Sequence, residues 1–161
     1  MLHFFPNEPY ISDVQKKLAV FDEIYARIDL LKTILNRRFS FKTVSISKND
    51  GIEFCADDGS MLAPAYLSSG EQHEVVLLYQ LLFRVKANSL ILIDEPELSL
   101  HIAWQEQFLK DLAQITSITS FDVLIATHSP QIISDRWDLT VELKGPQECE
   151  STLQATPSLT P

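Results

Sequence analysis

Two short apolar runs, Leu90-Ile91-Leu92-Ile93 and Val123-Leu124-Ile125-Ala126, constrain this chain more than any other feature. They are rich in aliphatic and β-branched side chains, carry no charge, and stop abruptly at polar residues. That is the pattern of strands buried on both faces of a parallel sheet. The first run ends in Asp94-Glu95 and the second in Thr127-His128. Ligands of open α/β sheets sit beyond the carboxyl ends of the strands, so these four side chains are expected to share one edge. Between the runs, Trp104, Phe108, Leu109 and Leu112 keep helical spacing and form the apolar face of a helix reaching about Ile115.

Upstream, Leu67-Ser68-Ser69-Gly70-Glu71-Gln72 precedes Val75, Leu78, Tyr79, Leu82 and Val85, again at helical spacing. The Ser-Ser-Gly segment therefore opens a helix. Unpaired backbone N–H groups and the positive end of the dipole favour an anion there, the hydroxyls add donors, and Gly70 permits close approach. Read alone, the same residues are an ordinary helix cap.

Taken together, Leu67–Gln72, Leu90–Glu95, Ser99-Leu100-His101 and Thr127-His128 resemble, in order and approximate spacing, the signature, Walker B strand, D-loop and switch histidine of the ATP-binding cassette ATPases. Within them, the chain is similar to the branch that contains the structural-maintenance-of-chromosomes proteins, RecF and the overcoming-lysogenization-defect nucleases. The resemblance implies an α/β fold, the C-terminal half of an ABC-type P-loop NTPase: a parallel sheet flanked by helices, an antiparallel hairpin and a long N-terminal helix. It implies Glu95 as general base toward the attacking water, His128 as sensor of the γ-phosphate, and Asp94 as a water-mediated Mg²⁺ ligand. Ser68, Ser69, Gly70, Glu71 and Gln72 would contact ATP held by an opposing protomer. Ser69 stands where the family usually has a first glycine. Ser99, Leu100 and His101 would form the D-loop, although His101 serves equally as a cap for the helix that follows. ATP and Mg²⁺ are the implied cofactors.

The missing motif is as informative. No Gly-x-x-x-x-Gly-Lys-Ser/Thr occurs, and the only glycines are Gly51, Gly59, Gly70 and Gly145, so the loop that cradles phosphates is absent from these residues. The expected partners are a second protomer in a homodimer and an N-terminal half bearing Walker A, with a nuclease effector or DNA as further candidates. The strand Val123–Ala126 would then have an unpaired side, and the alternating Leu139–Leu143, read as a last strand, would lose its neighbour. The isolated chain is expected to dimerise, swap strands, aggregate or require the other half, and to be inactive by itself. The segment around Asp94 and the run Asp135–Leu139 also resemble bacterial ATP-binding proteins, some paired with nucleases in anti-phage defence. A transporter's ATP-binding subunit and a non-catalytic interaction fragment are the alternative readings.

The remainder is quickly placed. A helix is expected from about Ile11, with Ser12 as N-cap and an apolar stripe of Val14, Leu18, Phe21, Tyr25 and Ile28 continued by Leu31 and Ile34 or Leu35, either packed on its own domain or ending a helical excursion. Phe41–Ser47 and Ile52–Cys55 alternate around Asp50-Gly51, a hairpin signal. Asp57-Asp58-Gly59-Ser60 reads as a solvated turn rather than a metal site. The expected organisation is a helical segment (1–40), the ATPase half (41–144) and a disordered Ser/Thr/Pro-rich tail (145–161). Net charge is −9, which argues against a surface devoted to nucleic acid, although the chain through Lys48 carries a small basic excess. No span suits a bilayer, no leader pattern opens the chain, and Cys55 and Cys149 read as free thiols, so a cytoplasmic protein is expected. His3 and His73 receive no role.

Overall fold

A computed structural model describes residues 8–143, leaving aside the side chains at 8–12, 14–17 and 20. His3, Cys149 and the tail from residue 145 therefore lie outside the described residues. The first helix, α1 (Glu8–Arg38), is already formed at Glu8, so Ser12 is an interior residue and not its N-cap. The stripe does not pack as a whole. Leu18, Phe21 and Tyr25 are exposed, whereas Leu31, Ile34 and Leu35 are among the most deeply buried residues of the molecule. Only the last turns of α1 are anchored in the core, and an amphipathic length of helix stands clear of it.

Strand β1 (Lys42–Ser47) pairs antiparallel with β2 (Gly51–Ala56) in the register Val44↔Phe54, closing the hairpin anticipated from Asp50-Gly51. Gly51 sits at φ +76°, the left-handed region that glycine enters without cost. The short β3 (Met61–Leu62) adds to β2. Asn36 fastens the hairpin to α1: its amide donates to the Val44 carbonyl (3.0 Å) and its oxygen accepts the Val44 N–H (2.6 Å). Phe39 then stacks between Phe54 and Trp104, at 6.2 and 6.1 Å between ring centroids.

Helix α2 (Ser69–Tyr79) ends in a single π-helical turn, Gln80–Arg84. It is followed by β4 (Leu90–Asp94), α3 (Ile102–Thr119), β5 (Asp122–Ala126) and the short α4 (Pro130–Ile133). Strands β4 and β5 are parallel, in register from Leu90↔Asp122 to Asp94↔Ala126. They are not buried on both faces. Ile91, Ile93, Val123 and Ile125 pack on the core, while Leu90, Leu92 and Leu124 are 61%, 69% and 60% exposed on the other side. The expectation of burial on both faces fails here, because the described residues cover one face only. The final strand read at Leu139–Leu143 is also absent: Trp137–Leu139 makes a 3₁₀ turn and Thr140–Leu143 has no regular structure. Alternation alone cannot make a strand without a neighbour to accept its hydrogen bonds.

Candidate functional site

The carboxyl ends of β4 and β5 lie side by side, and the Glu95 N–H donates to the Ala126 carbonyl at 2.8 Å. Glu95 adopts φ +45°, ψ +56° directly before Pro96, a left-handed conformation uncommon for a non-glycine residue and typical of functional turns. From β5, His128 reaches the same place. Its Nδ1 lies 3.6 Å from a Glu95 oxygen and 3.5 Å from a Glu97 oxygen. Asp94 closes β4 with an exposed side chain. The edge thus holds three carboxylates and an imidazole, with no Lys or Arg within ion-pair distance among the described residues.

Glu97, which sequence reasoning passed over, is the anchor of this edge. Its carboxylate accepts from the Thr127 hydroxyl (2.8 and 2.9 Å) and from the His128 N–H (3.2 Å). Burial pushes Glu97 up, but its own N–H, the Thr127 hydroxyl and the His128 N–H and imidazole outweigh that and hold it below the usual carboxylate range. In the sequence it opens the run Glu97-Leu98-Ser99-Leu100-His101, which sets the chain apart from transporter subunits but says nothing of what Glu97 touches.

The Ser-Ser-Gly segment is elsewhere. Ser68 is the N-cap of α2 in a reciprocal capping box: the Glu71 N–H donates to Ser68 Oγ (3.3 Å) and the Ser68 N–H to Glu71 Oε2 (2.8 Å). Glu71 is also paired with Lys42 at 2.5 Å. Burial raises Glu71, but Lys42 and Ser68 overcome this and lower it. The Gln72 amide donates to the Leu67 carbonyl (2.9 Å). Glu71 and Gln72 are therefore engaged in holding the turn, leaving the exposed Ser69 hydroxyl, with no partner among the described residues, and the backbone at Gly70 to face outward. Gly70 lies close to the Ser99 carbonyl, 3.9 Å from where a Cβ would stand, so the two loops are neighbours. Ser68, Gly70 and His101 line one groove of about 680 Å³ with Arg37, Phe41 and Trp104. His101 caps α3, its Nδ1 accepting the Ala103 N–H at 3.3 Å. Asp94, Glu95 and His128 do not line that groove.

Substituting Ser68 by alanine is expected to cost about 1 kcal/mol, as for other serine N-caps, read as a lower urea midpoint. A stability equal to that of the parent would mean that the capping box contributes nothing.

No group of three or more His, Cys, Asp or Glu among the described residues could hold a metal ion, and no described helix is long and apolar enough to cross a membrane. The family model described as "AAA domain, putative AbiEii toxin, Type IV TA system" matches residues 10–134. No curated protein matches the chain. With the match spanning α1 through α4, the chain belongs to this AAA-domain family of AAA/ABC-like P-loop ATPases.

Proposed function

We propose that the chain supplies the signature, Walker B and switch-histidine half of a dimerising ABC-type ATPase that hydrolyses ATP to ADP and phosphate between two protomers. The observation that carries this reading is the convergence of His128 on Glu95, at 3.6 Å, where two parallel strands end. Glu95 would accept the proton of the attacking water, and His128 would meet the γ-phosphate. Ser68 and Gly70, which line a separate groove with His101, and the exposed Ser69 between them would complete the pocket of the opposing protomer, with Ser99 beside Gly70. The toxin description of the family favours a role in anti-phage defence, with a nuclease or DNA as the downstream partner.

Asp94 fits a Mg²⁺ that arrives with its nucleotide rather than a resident one. A lone exposed carboxylate is how proteins commonly hold Mg²⁺, alongside water and phosphate oxygens. There the ion would neutralise charge on the phosphates.

The edge is poorly suited to take a phosphate unaided, because Asp94, Glu95 and Glu97 repel it and no Lys or Arg pairs with them among the described residues. A segment bringing a phosphate-cradling loop and its lysine would correct that balance. The same segment would cover Leu90, Leu92 and Leu124, whose burial is worth roughly 3–6 kcal/mol, and pair the side of β5 that has no neighbouring strand among the described residues. Titrating Mg-ATP into the 161-residue chain by calorimetry is expected to give no binding tighter than about millimolar. Micromolar binding would reject the half-site reading. A non-catalytic interaction role, favoured by the missing loop, would be supported if a partner bearing Walker A restored binding but not hydrolysis.

A further inference from the structure

The reading above gives Glu97 no part, yet its side chain is only 8% exposed against 44% for Glu95, and it holds the imidazole-bearing segment from two directions. Thr127 and the His128 N–H both donate to it. Its own carbonyl accepts from Gln105 Nε2 (3.3 Å), while Gln105 Oε1 accepts the Ser129 hydroxyl (3.0 Å). The loop after β4 and the segment after β5 are therefore bridged on both sides of His128, and a carboxylate lies 3.5 Å from Nδ1. Among the described residues Nε2 has no partner.

We infer that Glu97 is a positioning residue that fixes the ring of His128 with its proton on Nδ1, presenting Nε2 to the open edge. In a neutral imidazole one nitrogen carries the proton and the other a lone pair, and the choice is set by what each nitrogen meets. The Glu97 carboxylate, 3.5 Å from Nδ1 and already bonded to Thr127 and the His128 N–H, favours a proton on Nδ1 by its charge and proximity rather than by a formed hydrogen bond. Glu95 is the weaker competitor, being more exposed and bonded to neither Thr127 nor His128. The inference rests on the ATPase reading only for its purpose, which is to aim Nε2 at a bound phosphate or its attendant water.

Long-range ¹H–¹⁵N spectra of the ¹⁵N-labelled chain at about pH 8.5, where an ordinary imidazole is neutral, test it. The parent is expected to show the proton on Nδ1 of His128. Glu97→Gln should move it largely to Nε2. Glu95→Gln and Thr127→Val should leave it on Nδ1, the latter because it removes a tie between loops without touching the charge. A proton on Nε2 in the parent, or a ring spectrum unchanged in Glu97→Gln, overturns the inference, and the parent spectrum decides alone if that variant does not fold. Failure of every reconstituted ATPase assay would reject the proposed activity and leave the ring result standing. An unchanged ring in an active enzyme would reject the role of Glu97 alone.

Discussion

Asp111→Ala is expected to destabilise the chain by about 3–5 kcal/mol, a large part of the total stability of a domain this size. Asp111 is 2% exposed and accepts from both Arg37 and Arg38, with Arg38 Nε at 3.0 Å. Arg38, also buried, reaches across to Glu74, so the last turn of α1, α2 and α3 meet at one ionic cluster. Removing Asp111 leaves a guanidinium in an apolar surround of Leu78, Phe108 and Leu112 with one acid to share. Glu74 is a poor substitute. Burial, reinforced by neighbouring Asp111, pushes its carboxyl up against the pull of Arg38, and its Oε2 has no hydrogen-bond partner among the described residues. A carboxyl whose folded pKa is raised stabilises most below its unfolded value and loses that contribution as pH rises through the folded one. At neutral pH, Glu74→Gln should therefore cost clearly less than Asp111→Ala. Urea unfolding of the two variants measures the difference. A loss below about 1 kcal/mol for Asp111→Ala would mean that apolar packing, not this cluster, joins the three helices.

The same cluster marks where the sequence stops being readable. Charged residues are rarely buried, so Arg38, Glu74 and Asp111 had no expected place in the core, although Asp111 stands between Phe108 and Leu112 in an apolar stripe and Glu74 one turn before Leu78. An acid inside such a stripe was the available signal. Elements whose partners are local were legible: the Asp50-Gly51 hairpin, the helix start at Ser68-Ser69-Gly70 and the two β-branched runs each follow from short-range chemistry, whereas the reciprocal cap between Ser68 and Glu71 stood in the sequence as a nucleotide contact. Elements whose partners are remote were not. Leu90, Leu92 and Leu124 say that a strand wants cover without saying that these residues contain it, and Leu139–Leu143 has the alternation of a strand but nothing to pair with. At the edge, chain order was enough to bring Asp94, Glu95, Thr127 and His128 together, because strand ends share an edge in any parallel sheet. The part of Glu97 depended on the path of the loop after β4, which neither Pro96 nor Leu98 specifies.

In a protein joining this chain to a Walker A segment, Glu95→Gln is expected to lower the turnover of ATP by about 10²–10⁴, the usual contribution of a positioned base and about 3–5.5 kcal/mol of barrier. The substitution suits the test because it preserves size and makes the same demand on the backbone. The left-handed turn before Pro96 is kept, as is the N–H donated to Ala126. What disappears is the capacity to accept a proton. Binding should persist, since the carboxylate at Glu95 opposes a phosphate and its neutralisation removes repulsion from an edge that still carries Asp94 and Glu97. Hydrolysis would then fail while ATP continues to bridge two protomers through Ser69 and Gly70, so the variant should elute as a dimer with ATP and as a smaller species without it. A variant keeping more than a tenth of the parent's turnover would remove Glu95 from the chemistry. One that lost turnover without ATP-dependent association would detach the Ser68–Gly70 groove from the nucleotide of a neighbour.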